Sequence, residues 1–170
     1  METRVLDYTI VAPQAHVPAA PAETLVDLLQ RRASEQPDRK AYTFLTAGES
    51  DKQTLTFAQL DQRARAIATL LESVNAQGER VLLMHPPGLD YISGFMGCLY
   101  AGAAAVPVPP PRVKNKTQRV QMVAADSEAS IVLTTHELLS KVDAMCEGSP
   151  ELRSLRWVAT DNINLSYSEY

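Results

Sequence analysis

One histidine stands where open α/β sheets usually bind their ligands. His85 begins the sequence HPPG at 85–88, which follows an apolar segment at 80–84 that is typical of a buried strand. Ligands of such sheets lie beyond the carboxyl ends of the strands. An imidazole at that place could exchange a proton or a hydrogen bond. Alternatively, the two prolines and the glycine shape a tight strand-to-helix turn, and His85 is a partly exposed spacer.

Two further groups of side chains could do chemistry. His136 and Glu137 form half of a zinc-binding HExxH motif, but the second histidine is missing, so we interpret them as a helix start, where a glutamate is electrostatically favourable. A basic cluster follows the prolines of 107–111 and comprises Arg112, Lys114, Lys116 and Arg119. Without interleaved aromatic residues it does not indicate a nucleic-acid platform. It is either a solvated loop or a contact to a phosphate.

The short motifs that mark many active sites are missing from this sequence. It contains no phosphate-binding GxxxxGKS or GxxxxGKT, no GxGxxG turn, no HExxH and no GxSxG nucleophile elbow. Cys98 and Cys146 have no CxxC spacing, so we expect buried thiols rather than a zinc site or a disulfide. We therefore assign no catalytic, cofactor-binding or metal-binding residue between Met1 and Tyr170.

The bulk properties are those of an ordinary globular chain. Of 170 residues, 45% are hydrophobic and 21% charged, which argues against disorder, and the formal net charge is -4. A net negative charge gives no general attraction to nucleic acid or to anionic membranes. Residues 91–111 are uncharged, but prolines interrupt their end, so we expect a buried helix and strand there rather than a membrane span. No apolar signal segment opens the sequence, and a cytoplasmic location is expected.

The spacing of apolar residues predicts an α/β fold. We expect an extended leader at 1–21, an amphipathic helix from Thr24 to Pro37, a β-hairpin at 41–57 and a long helix that closes near Gly78. Thr24 with Asp27, and Thr56 with Gln59, are the capping pairs expected at the starts of the two helices. Strands and helices then alternate, with strands at 80–84, 106–108, 131–133 and 155–159 and helices at 90–100, 117–125 and 136–146. Repeated βα units form a mostly parallel sheet flanked by helices.

Several strings resemble one branch of the adenylate-forming enzymes. PPGLDYI, GCLYAG and VPVPPPR are similar to the opening of fatty-acyl-AMP ligases, more than to the acyl-CoA synthetases or amino-acid adenylation domains of the same superfamily. The similarity runs from about Thr24 to Ile163. It implies that 22–170 form an N-terminal subdomain of the large domain of such a ligase, without its catalytic motifs or C-terminal domain.

The resemblance implies an enzyme that uses ATP and Mg²⁺ to convert a fatty acid into an acyl-adenylate and pyrophosphate. The acyl group would then pass to the phosphopantetheine of an acyl carrier protein in polyketide or lipopeptide biosynthesis. The family's phosphate loop, adenine motif, ribose-binding acid and C-terminal lysine match no position here. We therefore expect this chain alone to be inactive and to bind ATP weakly. Without the remainder of the ligase chain to cover its sheet, it would tend to self-associate.

Other interpretations of the sequence stay open. The same fold could be a binding or assembly module without catalysis, or the enzyme could be an acyl-CoA synthetase or another adenylation domain. Gly94, Gly97 and Gly102 also allow two interpretations, since glycines in a buried helix permit close packing and could equally leave room for an acyl chain.

Overall fold

The centre of the molecule is a parallel sheet covered by helices on both faces. The computed structural model describes residues 24–45, 52–111 and 117–165. Its helices are α1 (Leu25–Glu35), α2 (Phe57–Ser73), α3 (Leu89–Tyr100), α4 (Gln118–Ser127), α5 (His136–Leu139), α6 (Val142–Met145) and α7 (Pro150–Ser154). Its strands are β1 (Lys40–Leu45), β2 (Lys52–Thr56), β3 (Arg80–Leu83), β4 (Ala104–Pro107), β5 (Ile131–Thr134) and β6 (Arg156–Ala159). The leader predicted at 1–21 lies outside the described residues.

The main sheet has the strand order β4-β3-β5-β6, and every pairing in it is parallel. Val81 pairs with Ile131 in β5, and on the other side it pairs with Ala105 in β4. The predicted α/β fold with repeated βα units is confirmed. The predicted strand at 106–108 is displaced to Ala104–Pro107, because the hydrogen bonding to the segment of β3 already starts at Ala104, whose N–H donates to the carbonyl of Glu79 at 2.8 Å.

The two central strands are apolar on both faces. Val81 and Leu83 pack into one cluster with α2 and α3, whereas Leu82 and Met84 pack into another with α4 and α7. This division follows from the two-residue period of a strand, which points successive side chains to opposite faces. The helices on each face therefore bury surfaces that water would otherwise reach.

Capping boxes stand at the starts of α1 and α2, the two helices that precede the main sheet. Thr24 accepts a hydrogen bond from the backbone of Asp27 at 3.1 Å, and the Asp27 side chain accepts one from the Thr24 backbone at 3.0 Å. Thr56 and Gln59 repeat the arrangement at the start of α2. Both capping pairs are confirmed, as is the antiparallel hairpin of β1 and β2. The hairpin and α1 form a separate apolar cluster against α2 and α3.

One predicted helix is wrong in extent. Instead of a continuous helix over 136–146, the chain forms α5 and α6 with a turn at Ser140 and Lys141 between them. The Ser140 hydroxyl donates to the carbonyl of Glu137, which offers the backbone a local alternative to the helical ladder. Helix α7 was not predicted, although Pro150 stands at its start, where proline is favoured.

Helices α2 and α3 approach each other closely at Gly97. A methyl group added there would overlap the Ile67 side chain, so the missing side chain of Gly97 makes room for that isoleucine. A polar contact pins the same pair of helices: Tyr100 donates a hydrogen bond to Asp61, which also accepts one from Arg65 at 2.8 Å. No helix within the described part of the chain is both long and apolar enough to cross a membrane.

Replacing Gly97 by alanine is expected to destabilise the protein. Because Ile67 is 2% exposed and its Cγ2 would overlap the added methyl carbon, G97A should lower the free energy of unfolding by about 2 kcal/mol, the usual cost of overpacking a core. Urea denaturation measures the change. Gly88→Ala is the matched control, since no atom lies within 4 Å of its added methyl group. Equal stability of the two variants would contradict the close approach.

Candidate functional site

A pocket opens at the carboxyl ends of β3 and β4. Its volume is about 500 Å³. It is lined by Leu83, His85, Pro86, Pro87, Gly88, Tyr91, Pro107, Val108, Pro109, Pro110 and Pro111. The location agrees with the place predicted from the sequence, beyond the ends of parallel strands. Six of the lining residues are prolines, which have no backbone N–H, so the walls offer few hydrogen-bond donors to an anionic group.

His85 is buried beneath the turn that borders this pocket. The residue is 4% exposed, so the prediction of a partly exposed spacer is wrong. Its Nε2 lies 2.8 Å from the hydroxyl oxygen of Thr160, which follows β6. Burial lowers the pKa of His85 to about 4, and the nearby carboxylate of Asp161 offsets this only in part. The imidazole is therefore neutral at neutral pH.

The neighbouring hydroxyl groups decide where the His85 proton lies. The Thr160 hydroxyl is 3.3 Å from the carbonyl oxygen of Thr134, to which it donates, while the Thr160 backbone N–H donates to the same oxygen at 2.9 Å. A hydroxyl has a single hydrogen, and with that hydrogen directed to the Thr134 carbonyl, Thr160 accepts from His85. We assign the ring proton to Nε2 on this ground, and because the other tautomer would leave a buried N–H at Nδ1 without an acceptor. The Thr134 hydroxyl in turn donates to the carbonyl of Met84 at 2.8 Å. These bonds connect the ends of β3, β5 and β6.

The opposite edge of the imidazole packs against α3. Nδ1 of His85 is buried and has no hydrogen-bond partner. A Cβ at Gly94 would stand 3.1 Å from Cε1 of this ring, so the glycine makes room for the histidine. Gly97 serves the contact with Ile67, and Gly102 has a φ of +65°, which favours glycine. All three glycines thus have a packing or backbone role, as one of the two sequence interpretations expected.

A second histidine lies on the same edge of the sheet. The Asp161 carboxylate accepts a hydrogen bond from the backbone of His136 at 2.9 Å and another from its Nδ1 at 2.7 Å. Burial raises the pKa of Asp161, but the hydrogen bonds from His136 outweigh it and leave the pKa below its ordinary value. Thr135 caps α5 and Glu137 lies in its first turn, which confirms that His136 and Glu137 begin a helix.

Thr134 and Thr160 were not singled out from the sequence. The available signal was a hydroxyl residue directly after an apolar run, at the end of β5 and just beyond β6. By contrast, Arg112, Lys114 and Lys116 of the predicted basic cluster lie outside the described residues. Arg119 lies on α4 and is exposed.

The site can hold an apolar group, but it does not fit the phosphates of ATP or Mg²⁺. Within 24–45, 52–111 and 117–165, no group of three or more histidine, cysteine, aspartate or glutamate side chains could hold a metal ion. The pocket walls supply few donors for phosphate oxygens, as described above. We therefore derive no step of nucleotide chemistry from these residues. Nε2 of His85 is bonded to Thr160 and Nδ1 is buried, so neither nitrogen can exchange a proton with a substrate. These contacts suit a structural role.

The burial of His85 should make the fold sensitive to acid between about pH 6.5 and pH 4. In this window the unfolded chain takes up a proton on the histidine, whereas the folded chain does not, so stability falls as the pH falls. The shift from 6.5 to about 4 corresponds to a loss of about 3 kcal/mol by pH 4. Unfolding by urea at several pH values should show this loss in the wild type and not in His85→Gln, which does not titrate.

His136→Gln is the matched control, because His136 is exposed. It should keep the acid-dependent loss of the wild type. An identical pH dependence in the wild type and in H85Q would contradict the buried neutral imidazole.

Comparison with known proteins places these features in a family. Residues 29–166 match the model of the AMP-binding enzymes. A medium-chain-fatty-acid–acyl-carrier-protein ligase of Moorena producens is 40% identical over 150 residues, which cover 86% of this chain and 25% of that protein. A 4-hydroxyphenylalkanoate adenylyltransferase of Mycobacterium tuberculosis is 39% identical over 122 residues, covering 70% of this chain and 20% of that protein.

A solved structure has the same architecture. The fatty acyl-adenylate ligase of Legionella pneumophila, in complex with acyl adenylate and pyrophosphate, superposes with a TM-score of 0.77 and 36% identity over 86% of this chain and 25% of its own. The chain thus spans about a quarter or less of the length of these relatives. The resemblance to fatty-acyl-AMP ligases noted in the sequence is confirmed by these matches, and the chain belongs to the family of AMP-binding enzymes.

Proposed function

We propose that this chain is the N-terminal part of the large domain of an ATP-dependent fatty-acid ligase. One observation carries the proposal: nearly the whole described chain matches, in sequence and in fold, a ligase of known structure that binds an acyl adenylate. In this assignment 22–170 form the subdomain, preceded by a leader at 1–21. The remaining three quarters of the relatives' length would supply the nucleotide-binding and catalytic groups.

The proposed reaction solves a chemical difficulty. A carboxylate is a poor acyl donor, because its leaving group would be oxide. Attack of the carboxylate on the α-phosphorus of ATP forms the acyl-adenylate and releases pyrophosphate, and AMP is then a good leaving group. Mg²⁺ would offset the charge that gathers on the phosphate oxygens. Residues outside this chain would hold both the metal and the nucleotide.

We further propose that the acyl acceptor is the phosphopantetheine of an acyl carrier protein, in polyketide or lipopeptide biosynthesis. The relative from Moorena producens, which is named for a carrier protein, supports this choice over coenzyme A. The use of ATP supports a cytoplasmic location. A fatty acid is favoured over an aryl alkanoate because two of the three relatives described are named for fatty acyl groups, whereas the third is named for 4-hydroxyphenylalkanoates.

The role of the present chain in such an enzyme would be to build one wall of the large domain. It brings the pocket at the ends of β3 and β4 to the edge of the sheet, with apolar walls and few donors. A pocket of this composition suits an apolar part of a substrate better than a phosphate. The alternative, a binding module without catalysis, would keep the same pocket but would not need any downstream segment.

Acyl-adenylate formation by the complete protein tests the proposal. We expect acyl-AMP, detected by mass, when the complete protein is given ATP, Mg²⁺ and a medium-chain fatty acid, and none above background from residues 1–170 alone. Parallel reactions without ATP are the control for carried-over product. A complete protein that forms no acyl-AMP from fatty acids of any length would contradict the ligase assignment.

The substrate and the acceptor are tested in the same assay. A 4-hydroxyphenylalkanoate in place of the fatty acid should give at least tenfold less adenylate. Added carrier protein with its phosphopantetheine should become acylated, whereas added coenzyme A should not. The reverse preference in either comparison would reassign the acyl group or the acceptor without overturning adenylation itself.

A further inference from the structure

The turn between β3 and α3 has few backbone N–H groups that could hold it in place. Residues 86 and 87 are both prolines, so two successive backbone nitrogens have no hydrogen to donate. The turn also borders the pocket, and α3 starts directly after it, at Leu89. A turn that is closed by its own N–H groups is held by backbone hydrogen bonds. The turn at 86–88 has fewer of these donors, so its position depends more on side-chain contacts.

His85 supplies such a contact across the sheet. Strands β3 and β6 are not neighbours, because β5 lies between them. The bond from His85 Nε2 to the Thr160 hydroxyl, 2.8 Å long, nevertheless joins the residue before the turn to the residue after β6. On its other side the ring rests against Gly94 of α3. The imidazole is therefore held by β6 on one edge and by α3 on the other.

We propose that His85 is a positioning residue: by its hydrogen bond to Thr160 it fixes the turn at 86–88 and, through that turn, the wall of the pocket. The inference rests on the proposed function for its kinetic consequence but not for its structural one. His85 acts neither as an acid or base nor as a ligand. The carboxylate of Asp161 beyond β6 acts on His85 electrostatically, and Tyr91 lines the pocket with it.

Two substitutions of Thr160 distinguish the effect of its hydrogen bond from the effect of its side-chain volume. Thr160→Val keeps the shape and removes the acceptor, whereas Thr160→Ser keeps the hydroxyl. Thr43→Val makes the same change at an exposed position of β1 and is the matched control. His85→Leu removes the bond from the other side.

Hydrogen exchange followed by mass spectrometry of the complete protein is the first measurement. In T160V and in H85L, peptides covering 86–95 should exchange at least threefold faster, while peptides from α2 stay unchanged. T160S and T43V should match the wild type. Unchanged exchange at 86–95 in T160V, or faster exchange throughout the molecule, would overturn the positioning role, because the second pattern describes a general loss of stability.

Kinetics of the complete protein are the second measurement. In T160V we expect about a fivefold rise in KM for a substrate that brings an apolar group, with kcat and the KM for ATP changed less than twofold. Medium-chain fatty acid and carrier protein with free phosphopantetheine are varied separately to identify which of them uses the pocket. The double variant H85L/T160V should be no worse than the poorer single variant, since both remove one bond.

The outcomes separate the two proposals. If the wild type forms no acyl-AMP, the ligase assignment fails, and the exchange measurement alone still decides the role of His85. If the wild type is active and neither KM rises in T160V, or if the two substitutions multiply in their effect, the kinetic consequence is overturned and the ligase assignment stands. Exchange at 86–95 decides the structural role in that case too.

Discussion

The structure depends on the burial of both faces of β3 and β5. Val81, Leu82, Ile131, Val132 and Leu133 are each at most 3% exposed, so neither face of these strands meets water. Such a sheet needs a layer of helices on each side, because apolar surface left in water costs about 25 cal/mol per Å². The crossover connections of parallel strands supply those layers. Helices α2 and α3 cover one face and α4 and α7 the other, and α2 and α3 approach each other closely at Gly97.

The same constraint determines where polar chemistry can occur. A polar side chain within β3 or β5 would face an apolar cluster, where an unpaired group costs roughly 1–3 kcal/mol. The polar groups of this sheet therefore gather where the strands end. His85, Thr134, Thr135 and Thr160 are all buried, and all lie at or just beyond a carboxyl end. His85 bonds to Thr160, whereas the Thr134 hydroxyl donates to the Met84 carbonyl and the Thr135 hydroxyl accepts from the Leu138 backbone N–H. The pocket opens beside them. Position in the fold, rather than any local motif, makes this edge the candidate site.

The parts of the fold that depend on near neighbours could be predicted from the sequence. The capping pairs of Thr24 and Thr56 join residues three positions apart, and the apolar period of β3 and α2 is visible along the chain. The break after α5 was missed, because the apolar spacing of 136–146 does not show the local bond that the Ser140 hydroxyl makes to the Glu137 carbonyl. The bond between His85 and Thr160 spans 75 positions. It follows from the strand order, with β5 inserted between β3 and β6, and no spacing in the sequence reveals that order. For the same reason the interpretation of His85 as a partly exposed spacer was wrong.

A histidine in this place differs from a charged residue that might make the same contact. A lysine at the end of β3 would also donate to Thr160, but its charge would lose its hydration in a site with few acceptors. The imidazole donates while neutral, and with a pKa of about 4 it stays neutral throughout the range in which cells work. The strength of the bond is therefore constant across that range, and the cost of burial falls on Nδ1, an acceptor without a partner, rather than on a charge. An unpaired neutral acceptor costs less free energy than a charge without its hydration. The neutral imidazole therefore gives the turn at 86–88, whose two prolines have no N–H, a hydrogen bond that does not vary with pH in this range.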